Sequence, residues 1–213
     1  ETVPDIVEEC GEAGIDGLVI LSAGFRETNE DGLSLEPAVL EAKSRFDGMR
    51  SVGPTCLGIM APLLSLNASF ADDSPPKGHV AFISQSGALC TSVLDWAIQE
   101  KVGFSYFISV GNMLDVGVAD LIDYLAIDKW TESIILYVES ISEAREFMSA
   151  ARAFTRQKPI IAYKAGRFAE SAAAAASHTG AMAGVDSVYE AVLARAGVVR
   201  VFDVDDLFDC AEL

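Results

Sequence analysis

Apolar and polar positions follow two rhythms along this chain: short apolar runs of strand length, and stretches where apolar residues return every three or four positions. Pro4–Ala13 predicts a helix, with proline near its start and Gly14 just past its end. Gly17–Leu21 predicts a short strand, Leu35–Phe46 a second helix, and Arg50–Val52 a strand running into Gly53–Pro54. Leu57–Ala71, with Asn67 and Ser69, reads as irregular, and Asp72–Gly78 (Asp-Asp-Ser-Pro-Pro-Lys-Gly) as a linker. The pattern then restarts. Strands are predicted at His79–Ile83, Phe104–Val110, Ser133–Val138, Pro159–Tyr163 and Val198–Phe202. Between and after them come helices at Gly87–Lys101, Val118–Ala126, Ile141–Arg156, Val185–Ala196 and Asp205–Leu213.

Strands separated by helices predict an α/β fold with a parallel sheet covered on both faces. The strands are continuous apolar runs, as sheets buried on two faces require. Residues 77–213 are therefore expected to form a doubly wound, flavodoxin-like domain. Residues 1–71, with two strands and two helices, are too few for a whole Rossmann-like domain and read as its C-terminal part. In such sheets ligands sit beyond the carboxyl ends of the strands. That edge would carry Ser84–Gly87, Ser109–Asn112, Glu139–Ser140 and the loop containing His178.

Composition narrows the function. A hydrophobic content of 51% supports a sizeable core, while no apolar run approaches the ~20 residues of a membrane helix. A net charge of −17 argues against a nucleic-acid partner, because phosphate backbones are held by Lys and Arg. The N-terminus has neither a basic region nor an apolar signal core, and it begins at Glu1 rather than Met, as a fragment would. Cys10, Cys56, Cys90 and Cys210 are scattered, with no CxxC pair and only two histidines beside them. This predicts no metal site, reduced thiols and a cytoplasmic location.

His178 stands in Ala172–Ala173–Ala174–Ala175–Ala176–Ser177–His178–Thr179–Gly180, where small side chains let a large anion approach. Imidazole forms covalent intermediates, but a lone loop histidine is also an ordinary surface residue. Ser84–Gln85–Ser86–Gly87–Ala88 joins a strand to a helix. It is either a plain N-cap or an anion cradle of unpaired amides and helix dipole. Glu139 ends an apolar strand, placed either to orient an imidazole or to cap the next helix in solvent. Gly53–Gly58 and Ser22–Phe25 are tight turns after strands, and Cys56 is either a thiol of depressed pKa or a packed small residue. His79, at the start of a strand, has no comparable surroundings.

Seven segments in order carry a resemblance. They are Ser-Ala-Gly-Phe at 22–25, Gly-Pro-Thr-Cys-Leu-Gly at 53–58, Ile-Ser-Gln-Ser-Gly-Ala at 83–88 and Ser-Val-Gly-Asn at 109–112. Tyr-Val-Glu-Ser at 137–140, Lys-Pro-Ile-Ile-Ala-Tyr-Lys-Ala-Gly at 158–166 and Ser-His-Thr-Gly at 177–180 complete the set. Over nearly its whole length the chain resembles the CoA-binding and phosphohistidine portion of nucleoside-diphosphate-forming acyl-CoA synthetases. These are the acid–CoA ligases similar to the succinyl-CoA synthetase α subunit and to ADP-forming acetate–CoA ligase.

The resemblance implies that His178 is transiently phosphorylated and that Glu139 contacts it. It also implies that Ser86, Gly87 and Ala88 hold the phosphoryl group. It assigns Ser22, Ala23, Gly24, Thr55 and Cys56 to coenzyme A, and Gly111 and Asn112 to the acyl group. The implied chemistry interconverts acyl-CoA, ADP and phosphate with a carboxylic acid, CoA and ATP, through an acyl phosphate and a phosphohistidine. ADP or ATP, with Mg, would bind an ATP-grasp domain or β subunit, and an oligomer is implied. The chain departs from the family at Thr55, where asparagine is usual. It also lacks the amino-terminal CoA-binding loop and the ATP-grasp domain, so it is not expected to complete the reaction alone. A rival reading is a ligand-sensing CoA-ligase-like module of a protein lysine acetyltransferase.

Overall fold

The computed structural model describes residues 2–28, 30–166 and 186–210. Two sheets organise them. In the smaller, β1 (Gly17–Val19) and β2 (Arg50–Val52) pair in parallel. They pack with α1 (Val3–Glu12) and α2 (Glu30–Ser44) around Val7, Ile20, Phe25, Val39, Ala42 and Met49. Proline in the first turn of α1 costs nothing, since the donor it lacks has no acceptor there.

The larger sheet has seven strands in the order β4-β3-β6-β5-β7-β8-β9. Five are parallel: β5 (Lys77–Ser84), β6 (Phe104–Ser109), β7 (Ser133–Val138), β8 (Ile160–Lys164) and β9 (Val199–Val201). Counted from β5, their order is the 2-1-3-4-5 arrangement of flavodoxin-like sheets. One face, with Ile83, Ile108, Leu136 and Ala162, packs on α4 (Val118–Ile127), α5 (Ala144–Phe154) and α6 (Asp186–Ala196). The other face, with Phe82, Phe107, Ile135 and Ile161, packs on α3 (Gly87–Glu100) and α7 (Val204–Asp209). Adjacent residues Phe82 and Ile83 thus belong to different cores, as the two-residue strand period demands.

The segment expected to be irregular, 57–71, forms an antiparallel hairpin instead. Its strands are β3 (Gly58–Ala61) and β4 (Leu66–Ser69), joined by a 3-10 turn at Pro62–Leu64. β3 pairs with β6 through Ile59↔Ile108 and Met60↔Phe107, so the larger sheet begins at residue 58. β4 is an edge strand with no fully buried position, and its polar residues carry no apolar signal for that reason. Other differences are at element ends: α2 begins at Glu30, upstream of the expected Leu35, and carries Pro37 inside it, and α5 begins at Ala144 rather than Ile141. Among the described residues, no helix is long and apolar enough to cross a membrane.

The two sheets are laced together by the loop after β6. The N–H groups of Asn112, Leu114 and Val116 donate to the carbonyls of Pro54 (2.8 Å), Gly53 (3.0 Å) and Ser51 (3.1 Å). Asp115 accepts from the Ser51 N–H at 2.7 Å and pairs with Lys43 and Arg50. Gly111 makes this approach possible: at φ +55° it lies so close to the Pro54 carbonyl that a Cβ would come within 2.1 Å of that oxygen. Gly14 offers a control, with φ +75° and nothing within 4 Å of a Cβ. Gly14→Ala should cost roughly the 1–2 kcal/mol of a left-handed L-residue. Gly111→Ala should cost measurably more in urea unfolding, and equal losses would show that the close approach carries no energy.

Candidate functional site

β5 lies between β6 and β7, and the chain leaves it at Ser84 toward α3. This is where the strand order reverses and a crevice opens. The buried Ser84 hydroxyl accepts from the Ser86 N–H and donates to the Ser86 carbonyl, both at 3.0 Å, which makes the turn sharp. Ser86 caps α3, its Oγ accepting from the Leu89 N–H at 3.3 Å. The Cys90 N–H reaches the Ser86 carbonyl. That leaves the N–H groups of Gly87 and Ala88 with no acceptor inside the helix. A Cβ at Gly87 would meet nothing closer than the Leu57 nitrogen, at an ordinary contact distance of 3.7 Å.

Gln85 ties this turn to its neighbours. Its Oε1 accepts from the N–H groups of Glu139 and of Ser140 (2.9 Å). Its Nε2 donates to the Ser140 carbonyl (2.9 Å) and to Met113 Sδ (3.4 Å). All four hydrogen-bonding positions of the amide are thereby used. The half-buried Glu139 is held by its backbone at the end of β7, beside the start of α3. Tyr137 and Tyr163 stack at 5.5 Å on the same wall. Burial, and then the Glu139 charge, push the Tyr137 phenol up to about 12. Lys164 ends β8 over the Tyr189 ring at 4.4 Å, donating to the Ala165 carbonyl. Burial pulls its pKa down, against the opposing pull of Asp186 and Glu139.

The facing wall comes from the smaller sheet. Gly53–Pro54 is cis, Thr55 has φ +58°, and the Thr55 N–H donates to the Ser22 carbonyl at 2.9 Å. Glu27 gathers this wall: it accepts from the N–H groups of Gly24 (2.7 Å) and Phe25 (3.1 Å) and from Thr55 Oγ1 (2.9 Å). Asn112 Nδ2 donates to Glu27 and Glu36, both at 3.2 Å, and Arg26 donates to the Asn112 carbonyl at 2.5 Å. Burial alone would raise the Glu27 pKa, but the donated hydrogen bonds prevail and hold it down at about 2.

Together these walls enclose a cleft of about 590 Å³, a volume typical of small-molecule sites. Of the residues expected from the sequence, Thr55, Gly111 and Asn112 line it from one side, Ser86, Gly87, Ala88 and Glu139 from the other. Ser22, Ala23 and Gly24 lie outside its lining, as does Cys56. The Cys56 thiol is 5% exposed and turned toward the Ile20 carbonyl at 3.4 Å. Burial pushes its pKa up to about 11, against a weaker pull from the Gly58 backbone, the opposite of a depressed, activated thiol. His178 lies outside the described residues. Arg26, Glu27, Gln85, Met113, Tyr137 and Tyr163 also line the cleft and were not singled out as site residues. Gln85 sits inside a quoted motif, whereas Arg26 and Glu27 carry no local signal beyond following a glycine turn.

A flavodoxin-like sheet with a helix N-terminus and a carboxylate at its switch point defines a doubly wound α/β domain. Residues 77–213 match the family model described as the succinyl-CoA ligase like flavodoxin domain, and the chain belongs to that family. It is 41% identical over 211 residues to acetate–CoA ligase [ADP-forming] I of Archaeoglobus fulgidus, spanning 99% of this chain and 31% of that protein. It is 46% identical over 203 residues to the α subunit of acetate–CoA ligase [ADP-forming] II of Pyrococcus furiosus, spanning 95% of this chain and 44% of that subunit. Among solved structures, it matches the dinucleotide-forming acetyl-coenzyme A synthetase 1 of Ca. Korarchaeum cryptofilum in complex with phosphate and ADP. That match has a TM-score of 0.93 at 36% identity, covering 99% of this chain and 45% of that one. The chain therefore spans less than half the length of each of these relatives.

The Glu27 hub predicts acid sensitivity. Its carboxyl is depressed in the folded state, so its stabilisation is complete above the ordinary value of 4.5 and is lost as pH falls from there toward about 2. Glu27→Gln should lower stability at neutral pH and flatten this part of the acid limb in urea unfolding. An unchanged acid limb would remove Glu27 from its cause.

Proposed function

We propose that this chain is the CoA-binding and phosphoryl-carrying part of an NDP-forming acyl-CoA synthetase. The observation that carries the reading is one cleft shared by the amides opening α3, the Glu139 carboxylate and the Thr55 turn. The kinship to ADP-forming acid–CoA ligases supports it.

In this reading a phosphate oxygen attacks the thioester carbonyl of an acyl-CoA. The C–S bond breaks, CoA leaves as the thiolate, and an acyl phosphate remains. The Gly87 and Ala88 N–H groups and the α3 dipole hold the phosphoryl oxygens in place of cationic side chains. An imidazole nitrogen of His178 then attacks phosphorus, the bond to the acyl oxygen breaks, and the carboxylate departs. Glu139 accepts the other imidazole N–H and stabilises the positive charge that develops on the ring. Finally the phosphoryl group passes to the terminal phosphate of ADP on an ATP-grasp domain or subunit, which also holds Mg, regenerating the histidine. Thr55 and the backbone of its turn, rather than the Cys56 thiol, face CoA.

The test is incubation with an ATP-grasp partner and γ-labelled ATP. Acid-labile, base-stable label should appear on the unaltered chain and vanish in His178→Asn. Glu139→Gln should slow its appearance by about 10²-fold or more. No label in the presence of an active partner would overturn the proposal.

A further inference from the structure

The helices on one face of the larger sheet carry their charges in separate halves. α5 turns Phe147, Ala150, Ala151 and Phe154 inward, and α6 turns Leu193 and Ala196 inward beside them. Between the two helices lies an open groove of about 760 Å³. Each helix lines it with one stripe at helical spacing: Arg145, Met148 and Arg152 from α5, Val188, Val192 and Arg195 from α6. The floor is therefore apolar and the rim cationic, and no carboxylate is among the described lining residues. Among the described residues, no ion pair links any of the three arginines to a carboxylate. The acids of the same helices are turned elsewhere. Asp186 and Glu190 pair with Arg200. Glu143 lies in a smaller chamber of about 90 Å³ that adjoins the cleft at Gln85 and reaches the start of α4.

α4, packed beside α5, presents the complement. Leu121, Ile122 and Leu125 are its buried side. Asp123, Tyr124 and Ile127 are exposed on the other side, Tyr124 to 52% and Ile127 to 86%. The Tyr124 hydroxyl shares a hydrogen bond of 3.0 Å with that of Tyr106, which fixes the ring. Asp120 is occupied by Arg50 and the Gly117 N–H, whereas Asp123 has no partner among the described residues.

We infer that this face is the contact between two copies of the chain, α4 of each lying in the α5–α6 groove of the other. The inference does not depend on the ligase reading. A two-fold axis lying in the contact carries ridge onto groove and groove onto ridge, so a patch that holds both halves satisfies itself twice. Tyr124 and Ile127 of one copy cover Met148, Val188 and Val192 of the other, and Asp123 enters the arginine rim. Charge selects the occupant. Chains with a net charge of −17 repel one another over most of their surface, and a groove rimmed by unpaired arginines is where a second copy can approach. Tyr, Met and Arg are also the side chains that interfaces favour.

The test is sedimentation equilibrium of the whole protein, in which the unaltered chain should self-associate through this face. Arg145→Glu with Arg152→Glu sets acid against acid, and Asp123→Arg sets base against base. Each should weaken association at least about a hundredfold. Reversing both arginines makes the result independent of which of them meets Asp123. Ile127→Ser should weaken it by about tenfold or more. Mixing the two charge variants should restore association close to that of the unaltered protein, because both contacts of the mixed pair then join opposite charges. Unfolding midpoints establish that the variants fold, and Arg195→Glu replaces the double reversal if that variant does not. A protein that does not self-associate overturns the proposal, as do reversals without effect or a mixture that does not recover. Association that runs on without closing marks a head-to-tail contact and overturns the two-fold arrangement.

Discussion

A parallel sheet brings strand ends together but does not set how far apart the loops beyond them stand. At the switch point, that spacing depends on the Gln85 side chain. Its carbonyl gathers the N–H groups of Glu139 and Ser140, and its amino group binds the Ser140 carbonyl and the Met113 sulfur. The start of α3, the end of β7 and the loop after β6 thereby become one rigid rim. The cleft and the smaller chamber exist as separate spaces because this amide stands between them.

The second constraint is electrostatic. In the proposed reading, a chain with a net charge of −17 manages phosphate chemistry without surrounding its substrate in cations. The described cleft lining has a single one, Arg26, and it is engaged with the Asn112 carbonyl and Glu36. Glu27, by contrast, is surrounded by N–H and hydroxyl donors, so its charge is compensated within the wall that carries it. The donors left over are the first amides of α3, which attract oxyanions through fixed dipoles and need no counter-charge. An oxyanion site built this way would tolerate an acidic surface.

Much of the architecture was legible because its causes are local. The apolar runs at 79–83 and 133–138 can be buried only inside a sheet covered on both faces. Ser86 before an apolar helical stretch is a cap in any fold. The hairpin at 58–69 escaped because an edge strand alternates weakly and its turn uses Pro62 and a left-handed Ser65, which read as interruption. Cys56 had two readings, and its surroundings favour the packed one: the thiol lies under the Ile20 carbonyl, buried from solvent, where burial opposes the thiolate.

The order of strands and helices, the burial of both sheet faces and the small-residue turns at 53–56 and 84–88 follow from the chain itself, because each depends on periodicity or backbone sterics within a few residues. Which loops meet, and what they enclose, was decided by the tertiary structure alone. The Asn112–Glu27 bond joins positions 85 apart, and the Gln85–Ser140 bond positions 55 apart. No local pattern encodes such partners. They are selected by the return of each strand to the same sheet edge, where a polar group excluded from water must find whichever acceptor or donor the fold has placed beside it.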